Sequence, residues 1–238
     1  METISELYTQ PSTCSYLPEE QSSFHYLLIE NGETRTYQHV LERGYRRFGK
    51  MFFRHNCQKC AQCLSIRILL EQFKPSKSQR RVLNKNQDIT VRIVRPQVTK
   101  EHIDIYNQFH AYRSENRNWN FTPIDPDDYL NNFVEGHQKY GWEFQYRKDN
   151  VLVGVGLVDE VFDSFSSVYF YYSPDWSKNS PGTFSVLKEI EIAKSKNKKY
   201  LHLGYWVEKN QSMTYKANFK PHELLKERTP FDQLPNWT

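Results

Sequence analysis

The chain has 238 residues, a formal net charge of +4 and 15% aromatic residues. This length and aromatic content predict a folded protein of one large or two small domains and exclude a disordered chain. No apolar stretch approaches the ~20 residues that span a bilayer, and residues 1–10 lack the apolar core of a signal peptide, so we expect a soluble cytoplasmic protein without a membrane partner.

The predicted elements of the N-terminal half are short strands separated by polar turns. Residues 24–29 are apolar and β-prone, and Asn31-Gly32 predicts a turn that opens a hairpin into residues 34–37. Residues 40–43 predict a short helix that is stopped by the following glycine. The remaining predictions are strands at 50–54, 64–70 and 89–94 and a helix that begins after Pro75.

The C-terminal half has the pattern of an antiparallel sheet with helices. A polar segment at 96–99 marks a boundary, and Thr99 predicts the N-cap of a helix over 100–113. We therefore divide the chain into domains 1–95 and 96–238. Further predictions are helices at 127–137 and 183–196 and strands at 143–147, 151–158, 167–172 and 200–205. Antiparallel strands, a helix that opens at a glycine and a parallel return strand predict an acyltransferase-like α/β fold.

The four cysteines fall in two places. Cys57, Cys60 and Cys63 form a C-x2-C-x2-C run, and Cys14 stands alone. Four such ligands suit a tetrahedral zinc ion or an iron–sulfur cluster, although the spacing is not that of a zinc ribbon. The alternative is a set of reduced, partly buried thiols in a cytosolic protein. The cysteines mark a candidate metal site without naming a reaction.

Basic residues concentrate between Lys74 and Arg95, where seven Lys or Arg accompany one acid, Asp88. Such an excess attracts a polyanion such as RNA. A second group of lysines, between residues 194 and 199, closes a predicted helix. Because cations favour helix C-termini, that second group needs no ligand to explain it.

Eight short blocks, in a fixed order along residues 14–224, carry a family resemblance. In the N-terminal half they are Cys14–Pro18, Gly44–Arg47, the three-cysteine run and Ser78–Arg81. In the C-terminal half they are Val168-Tyr169, Gly182–Leu187, Leu203–Val207 and Met213–Pro221. Together they resemble the aminoacyl-tRNA–protein transferases, most closely the bacterial aspartate/glutamate leucyltransferase type, which is related to eukaryotic arginyltransferases.

The resemblance implies a GNAT-like C-terminal domain beside a small mixed N-terminal domain. It also implies transfer of leucine from leucyl-tRNA to proteins that begin with Asp or Glu, which marks them for the N-degron pathway. The donor is an activated ester, and an α-amine with a pKa of about 8 is partly neutral at pH 7. Positioning and oxyanion stabilisation can therefore carry the reaction without a required cofactor.

Residues inside the matching blocks are the candidates for the site. An acidic N-terminal residue needs a cation, and arginine binds a carboxylate bidentately, so we expect at least one arginine to bind it and others to contact tRNA phosphates. The candidate catalytic residues are Tyr169, Tyr205, Tyr215 and Lys216. The candidate substrate-binding residues are Arg46, Arg47, Arg80, Arg81, Gly182, Thr183, Gly204 and Trp206. The candidate metal ligands are Cys14, Cys57, Cys60 and Cys63.

Three alternatives remain at this stage. The donor is arginyl-tRNA if a carboxylate such as that of Glu189, Glu191 or Glu208 lines the pocket. A CoA-dependent N-acetyltransferase needs a glycine-rich turn, whereas residues 179–184 offer one glycine beside a proline that lacks a backbone donor. A non-catalytic RNA-binding module explains the basic segment but leaves the C-terminal blocks unused.

Overall fold

The computed structural model describes residues 3–30, 32–117, 121–136 and 139–238. The chain forms two compact units. The first unit comprises Met1–Lys74, Val161–Ser166 and Ala193–Thr238, and the second comprises Pro75–Glu160 and Ser167–Ile192. The units thus divide the chain at points other than the boundary predicted after residue 95. Two predicted features, the turn at Asn31 and the helix end at His137, lie outside the described residues.

The described chain contains thirteen strands and five α-helices. The strands are β1 (Thr3–Tyr8), β2 (Ser12–Thr13), β3 (Gln21–Ser22), β4 (Phe24–Glu30), β5 (Arg46–Phe48), β6 (Met51–His55), β7 (Leu64–Leu69), β8 (Ile89–Val94), β9 (Gly141–Lys148), β10 (Val151–Glu160), β11 (Ser164–Tyr172), β12 (Tyr200–Trp206) and β13 (His222–Leu225). The α-helices are α1 (Thr34–Glu42), α2 (Lys77–Lys85), α3 (Lys100–Arg117), α4 (Pro126–Tyr129) and α5 (Pro181–Ser195). Short 3-10 helices cover Pro174–Asn179 and Thr214–Asn218, and a π-helical turn covers Leu130–Val134.

The first unit is built mainly from sheets. One sheet has the order β1-β4-β6-β5, and each neighbouring pair is antiparallel. In a second group of strands, β7 lies between β13 and β12 and is antiparallel to both. The start of β11 then pairs with β12 in parallel, with Ser164–Ser166 opposite Tyr200–His202. This parallel return strand is the one that the sequence pattern predicts.

Helix α1 occupies the position where the sequence predicted a hairpin strand, and that prediction was wrong. Tyr37, Val40 and Leu41 are buried, and their spacing is that of one helix face. The four residues 34–37 form too short a window to show this period. The helix ends before Gly44, whose φ of +81° suits a glycine that stops a helix.

The second unit packs helices against an antiparallel sheet. Its strands have the order β11-β10-β9-β8, with β9 antiparallel to both β10 and β8. Helix α2 begins with a capping box between Ser76 and Gln79. Helix α3 begins as predicted at Thr99, whose hydroxyl accepts from the His102 amide. The core contains Ile105, Phe109, Tyr129, Phe133, Leu152, Val155, Leu157, Val168 and Tyr171.

Most predicted elements of the second unit are confirmed, with ends that differ by a few residues. The exception is the helix predicted over 127–137. It starts at Pro126, where the Asp125 carboxylate caps the Asp128 amide at 2.8 Å, and it becomes a π-helical turn after four residues. Among the described residues, none of the helices combines the length and the apolar character needed to cross a bilayer.

Candidate functional site

Strand β12 carries a β-bulge inside the Leu203–Val207 block. Its pairing with β7 shifts between His202 and Gly204, and Gly204 has a φ of +75°. This left-handed conformation favours glycine. A Cβ added to Gly204 would lie 2.6 Å from Cζ of Arg46. The bulge therefore allows the Arg46 guanidinium to lie directly against the β12 backbone.

Lys216 fixes the two carbonyls that flank this glycine. Its Nζ donates to the carbonyl oxygens of Leu203 at 2.8 Å and Tyr205 at 2.7 Å. The residue is half-buried and its ammonium end points inward. Burial, and secondarily the Arg46 charge, lowers the pKa of Lys216 to about 7. A lysine with this pKa is partly neutral at pH 7 and can accept a proton.

The structure therefore brings together four predicted site residues in the first unit: Arg46, Gly204, Tyr205 and Lys216. The Tyr205 hydroxyl donates to the carbonyl oxygens of Gly44 at 3.0 Å and Phe53 at 3.3 Å. Burial raises the pKa of Tyr205, so the hydroxyl stays protonated. These bonds tie β12 to its surroundings, and a catalytic role for Tyr205 stays a prediction.

Two further predicted residues of this unit lie close in sequence to the bulge. Trp206 ends β12 and is half-buried, and its Nε1 is a buried donor without a hydrogen-bond partner in the described part of the chain. Tyr215 packs edge-on against Phe219, with ring centroids 6.4 Å apart. The roles predicted for Trp206 and Tyr215 stay predictions.

The four predicted arginines differ in exposure. Arg47 is only 1% exposed, donates to the Gly49 carbonyl and lies 5.9 Å from the centre of the Tyr37 ring. Arg46 is half-buried against β12. Arg80 and Arg81 are exposed on α2 in the second unit, where side chains suit contacts with phosphate. Because Arg47 is buried against the Tyr37 ring, its position is that of a packing residue.

The second unit holds Tyr169, which pairs with a histidine that the sequence analysis did not select. The Tyr169 hydroxyl lies 2.8 Å from Nε2 of His110. Burial, and secondarily Arg113, lowers the pKa of His110 to about 4, so its ring is neutral. In the sequence, the helical spacing of His110 with its apolar neighbours indicated only that the residue belongs to the core.

Gly182 and Thr183 lie in the first turn of α5, and a Cβ at Gly182 would meet no atom within 4 Å.

The four cysteines line one cavity of about 460 Å³ in the first unit. Cys14 belongs to an apolar cluster with Leu17 and Val207, and Cys60 and Cys63 pack against it. Burial, with the neighbouring thiols, raises the pKa of Cys63 to about 12. The donor set matches the predicted zinc or iron–sulfur site. However, no three His, Cys, Asp or Glu side chains in the described ranges are arranged to hold a metal ion, so the metal site stays a prediction.

Polar residues that the sequence analysis missed line the same cavity, namely Arg54, His55 and Arg228. His55 is 7% exposed, and neither of its ring nitrogens has a hydrogen-bond partner among the described residues. Burial, and secondarily Arg228, lowers the pKa of His55 to about 4. The position of His55 two residues before Cys57 was the one available signal in the sequence.

Comparison with solved structures shows the fold. The chain resembles the crystal structure of FemX with a TM-score of 0.53 at 9% identity, and the match covers 85% of this chain and 69% of that chain. This likeness confirms the predicted mixed α/β, GNAT-like fold.

Comparison of sequences identifies the family. A protein named aspartate/glutamate leucyltransferase from Helicobacter hepaticus is 42% identical, and the match covers 98% of this chain and 96% of that protein. Proteins of the same name are 40% identical in Campylobacter jejuni, over 92% of this chain and 91% of theirs, and 33% identical in Pseudomonas putida, over 91% and 92%. The family model for the N terminus of arginine-tRNA-protein transferase matches residues 12–81, and the model for its C terminus matches residues 101–226. The chain belongs to the arginine-tRNA-protein transferase family.

Proposed function

We propose that the protein transfers leucine from leucyl-tRNA to the α-amine of proteins that begin with Asp or Glu. The observation that carries this proposal is the nearly full-length match to relatives named aspartate/glutamate leucyltransferase. The product begins with leucine and becomes a substrate for degradation through the N-degron pathway. Because aminoacyl-tRNA is the donor, we place the reaction in the cytoplasm.

The reaction exchanges an ester for an amide. The α-amine nitrogen of the acceptor attacks the carbonyl carbon of the leucyl ester, and the bond from that carbon to the ribose oxygen breaks. The amine loses a proton and the ribose oxygen leaves as a hydroxyl, so one proton moves from nitrogen to oxygen. The enzyme must therefore hold the amine neutral and stabilise the oxyanion that forms between the two steps.

Lys216 has the hydrogen-bond geometry of a proton acceptor in this scheme. A neutral amine has two N–H donors and one lone pair. Both donors are engaged by the carbonyls of Leu203 and Tyr205, which leaves the lone pair for the amine proton. Burial, and secondarily the positive charge of Arg46, keeps Lys216 partly neutral, and the same positive charge favours a developing oxyanion.

A transfer assay tests the proposal. Purified protein is mixed with leucyl-tRNA and a peptide that begins with Asp or with Ala, and the product masses are measured. We expect leucine on the Asp peptide alone. The Lys216→Met variant serves as the control for contaminating transferases, since product at the wild-type level with this variant would assign the activity to another protein or exclude Lys216 from the chemistry.

A further inference from the structure

We propose that residues 229–238, here called the clamp segment, position Arg46 against the β-bulge of β12. Arg43 and Trp237 are the positioning residues through which the segment acts. This inference rests on the proposed function, in which Arg46 lies beside Lys216. It adds to that function the part of the chain that keeps Arg46 in place.

The clamp segment is irregular but firmly attached. Residues 229–238 form turns and irregular structure around a β-bridge in which Trp237 pairs with Leu225. They also lie beyond residue 226, where the match to the family model ends. Irregular segments of this kind are ordered only where other groups tie them down. The hydrogen-bond partners of the segment therefore indicate what it holds in return.

The first anchor is Arg43, the residue that follows α1. Its side chain is buried, with 3% exposed. Its guanidinium donates to the carbonyl oxygens of Pro230 at 3.1 Å, Phe231 at 3.3 Å and Gln233 at 2.5 Å. The remaining terminal nitrogen donates to the carbonyl oxygen of His39 at 3.0 Å. One side chain thus joins three carbonyls of the clamp segment to the last turn of α1.

The second anchor is Trp237. Its Nε1 donates to the carbonyl oxygen of Glu42 at 3.0 Å, so this residue also holds the end of α1. The next residue, Thr238, exchanges backbone hydrogen bonds of 3.1 Å and 2.8 Å with Leu224 on β13. The indole packs edge-on against the His202 ring, with centroids 5.3 Å apart. Trp237 therefore connects α1 to the residue of β12 at which the bulge begins.

Both anchors lead to Arg46. Arg43 lies three positions before it in the chain, and His202 lies two positions before Gly204. Side chains and backbone of Gly44, Arg46, His202 and Gly204 line a common void of only about 10 Å³, so this region is closely packed. Holding the backbone before Arg46 and the strand before Gly204 sets how the guanidinium approaches the bulge.

The position of Arg46 matters because it acts on Lys216. Burial and the Arg46 charge together lower the pKa of Lys216 to about 7. A loosened clamp segment lets Arg46 move away and admits water, and both changes raise that pKa toward 10.5. Less neutral Lys216 is then present at pH 7, so proton acceptance slows. Displacements of about 1 Å far from the reacting atoms can cost about 10²-fold in rate.

Two variants that conserve charge test the clamp segment. Arg43→Lys keeps the positive charge but lacks the fork that serves three carbonyls, and Trp237→Phe keeps an aromatic ring but loses the Nε1 donor. Leu234→Ala is the matched control, because this side chain of the same segment is 91% exposed. With leucyl-tRNA and an Asp peptide, we expect kcat to fall about 10–100-fold in both clamp variants while KM stays near the wild-type value. Leu234→Ala should match the wild type.

An NMR titration of Lys216 separates positioning from a merely structural role and needs no tRNA. Lysines are isotope-labelled at Cε, and the Lys216 signal is the one that is lost in Lys216→Met. We expect a titration midpoint of about 7 in the wild type and in Leu234→Ala, and a higher midpoint in Arg43→Lys and Trp237→Phe. Because neither clamp variant changes the net charge, a raised midpoint reports displacement of Arg46 or entry of water.

A merely structural segment would lower Tm in the clamp variants without moving the Lys216 midpoint. An unchanged midpoint in folded Arg43→Lys and Trp237→Phe therefore overturns the proposal, whether or not kcat falls. A wild-type protein that transfers no leucine rejects the proposed function instead, and the NMR midpoints still decide the role of the clamp segment.

Discussion

The Arg46 guanidinium occupies the space that a side chain at Gly204 would need, since a Cβ at Gly204 would lie 2.6 Å from Arg46 Cζ. Gly204 also has a φ of +75°, a backbone conformation that residues other than glycine adopt only at an energetic cost. The contact explains why a glycine stands at the β-bulge of β12. The absence of a side chain at position 204 lets the Arg46 guanidinium approach the carbonyls to which Lys216 donates. The relationship leads to the first prediction.

Gly204→Ala should lower the free energy of unfolding by about 1–3 kcal/mol, because it adds backbone strain and displaces Arg46. Urea unfolding measures the change. Gly182→Ala is the control, since a Cβ there meets no atom within 4 Å and alanine should leave stability equal or slightly raised. Equal stability losses in the two variants would contradict the contact.

Lys216 should make stability rise with pH above neutrality. Its pKa is about 7 in the folded protein, whereas a solvent-exposed lysine has a pKa of 10.5, so between these values the unfolded chain binds more protons. The free energy of unfolding therefore increases with pH across that window. Urea midpoints of wild type and Lys216→Met, compared between about pH 7 and about pH 10, should show a flatter dependence in the variant. Parallel pH dependences would contradict the lowered pKa.

The same titration should appear in the rate of leucine transfer. If neutral Lys216 accepts the amine proton, kcat rises with pH through about 7. Lys216→Met should lose about 10²–10⁴-fold in kcat, the contribution typical of a general base. Lys216→Arg retains donors for the carbonyls of Leu203 and Tyr205 but stays charged in a buried site near Arg46, so it should lower stability at alkaline pH and should not restore the rate. Restoration of kcat by arginine would limit Lys216 to positioning β12.

Tyr205→Phe should affect stability more than chemistry. Removing the hydroxyl takes away the donor that serves the carbonyls of Gly44 and Phe53, which should cost about 1–3 kcal/mol of unfolding free energy. Because that hydroxyl is engaged and its pKa is raised, kcat measured well below the unfolding temperature should stay near the wild-type value. A large loss of kcat without a loss of stability would assign the hydroxyl to catalysis.

Local patterns predicted much of this molecule. Strand β8 coincides with the predicted residues 89–94, and the parallel return strand β12 and the helix before it were expected from apolar runs and a glycine. The blocks at 44–47, 203–207 and 213–221 pointed to the residues around the bulge. These features depend on neighbours in the sequence, which is why a sequence pattern reveals them.

Other features depend on neighbours that are distant in the chain. His55 is enclosed by Phe24 and Tyr205, and no local pattern indicates that its ring nitrogens have no hydrogen-bond partner among the described residues. The lowered pKa of Lys216 comes first from burial and second from Arg46, which lies 170 positions earlier. Helix α1 was missed because its apolar period extends beyond the four residues that resembled a strand. Tertiary packing determined each of these outcomes.

Competition between donors tests the central claim most directly. The protein is incubated with equal amounts of leucyl-tRNA and arginyl-tRNA and with two peptides that begin with Asp and Asn, and each product is identified by mass. The account predicts leucine on the Asp peptide, with little product of any other combination. Arginine on the Asp peptide, or leucine on both peptides at similar rates, would contradict it.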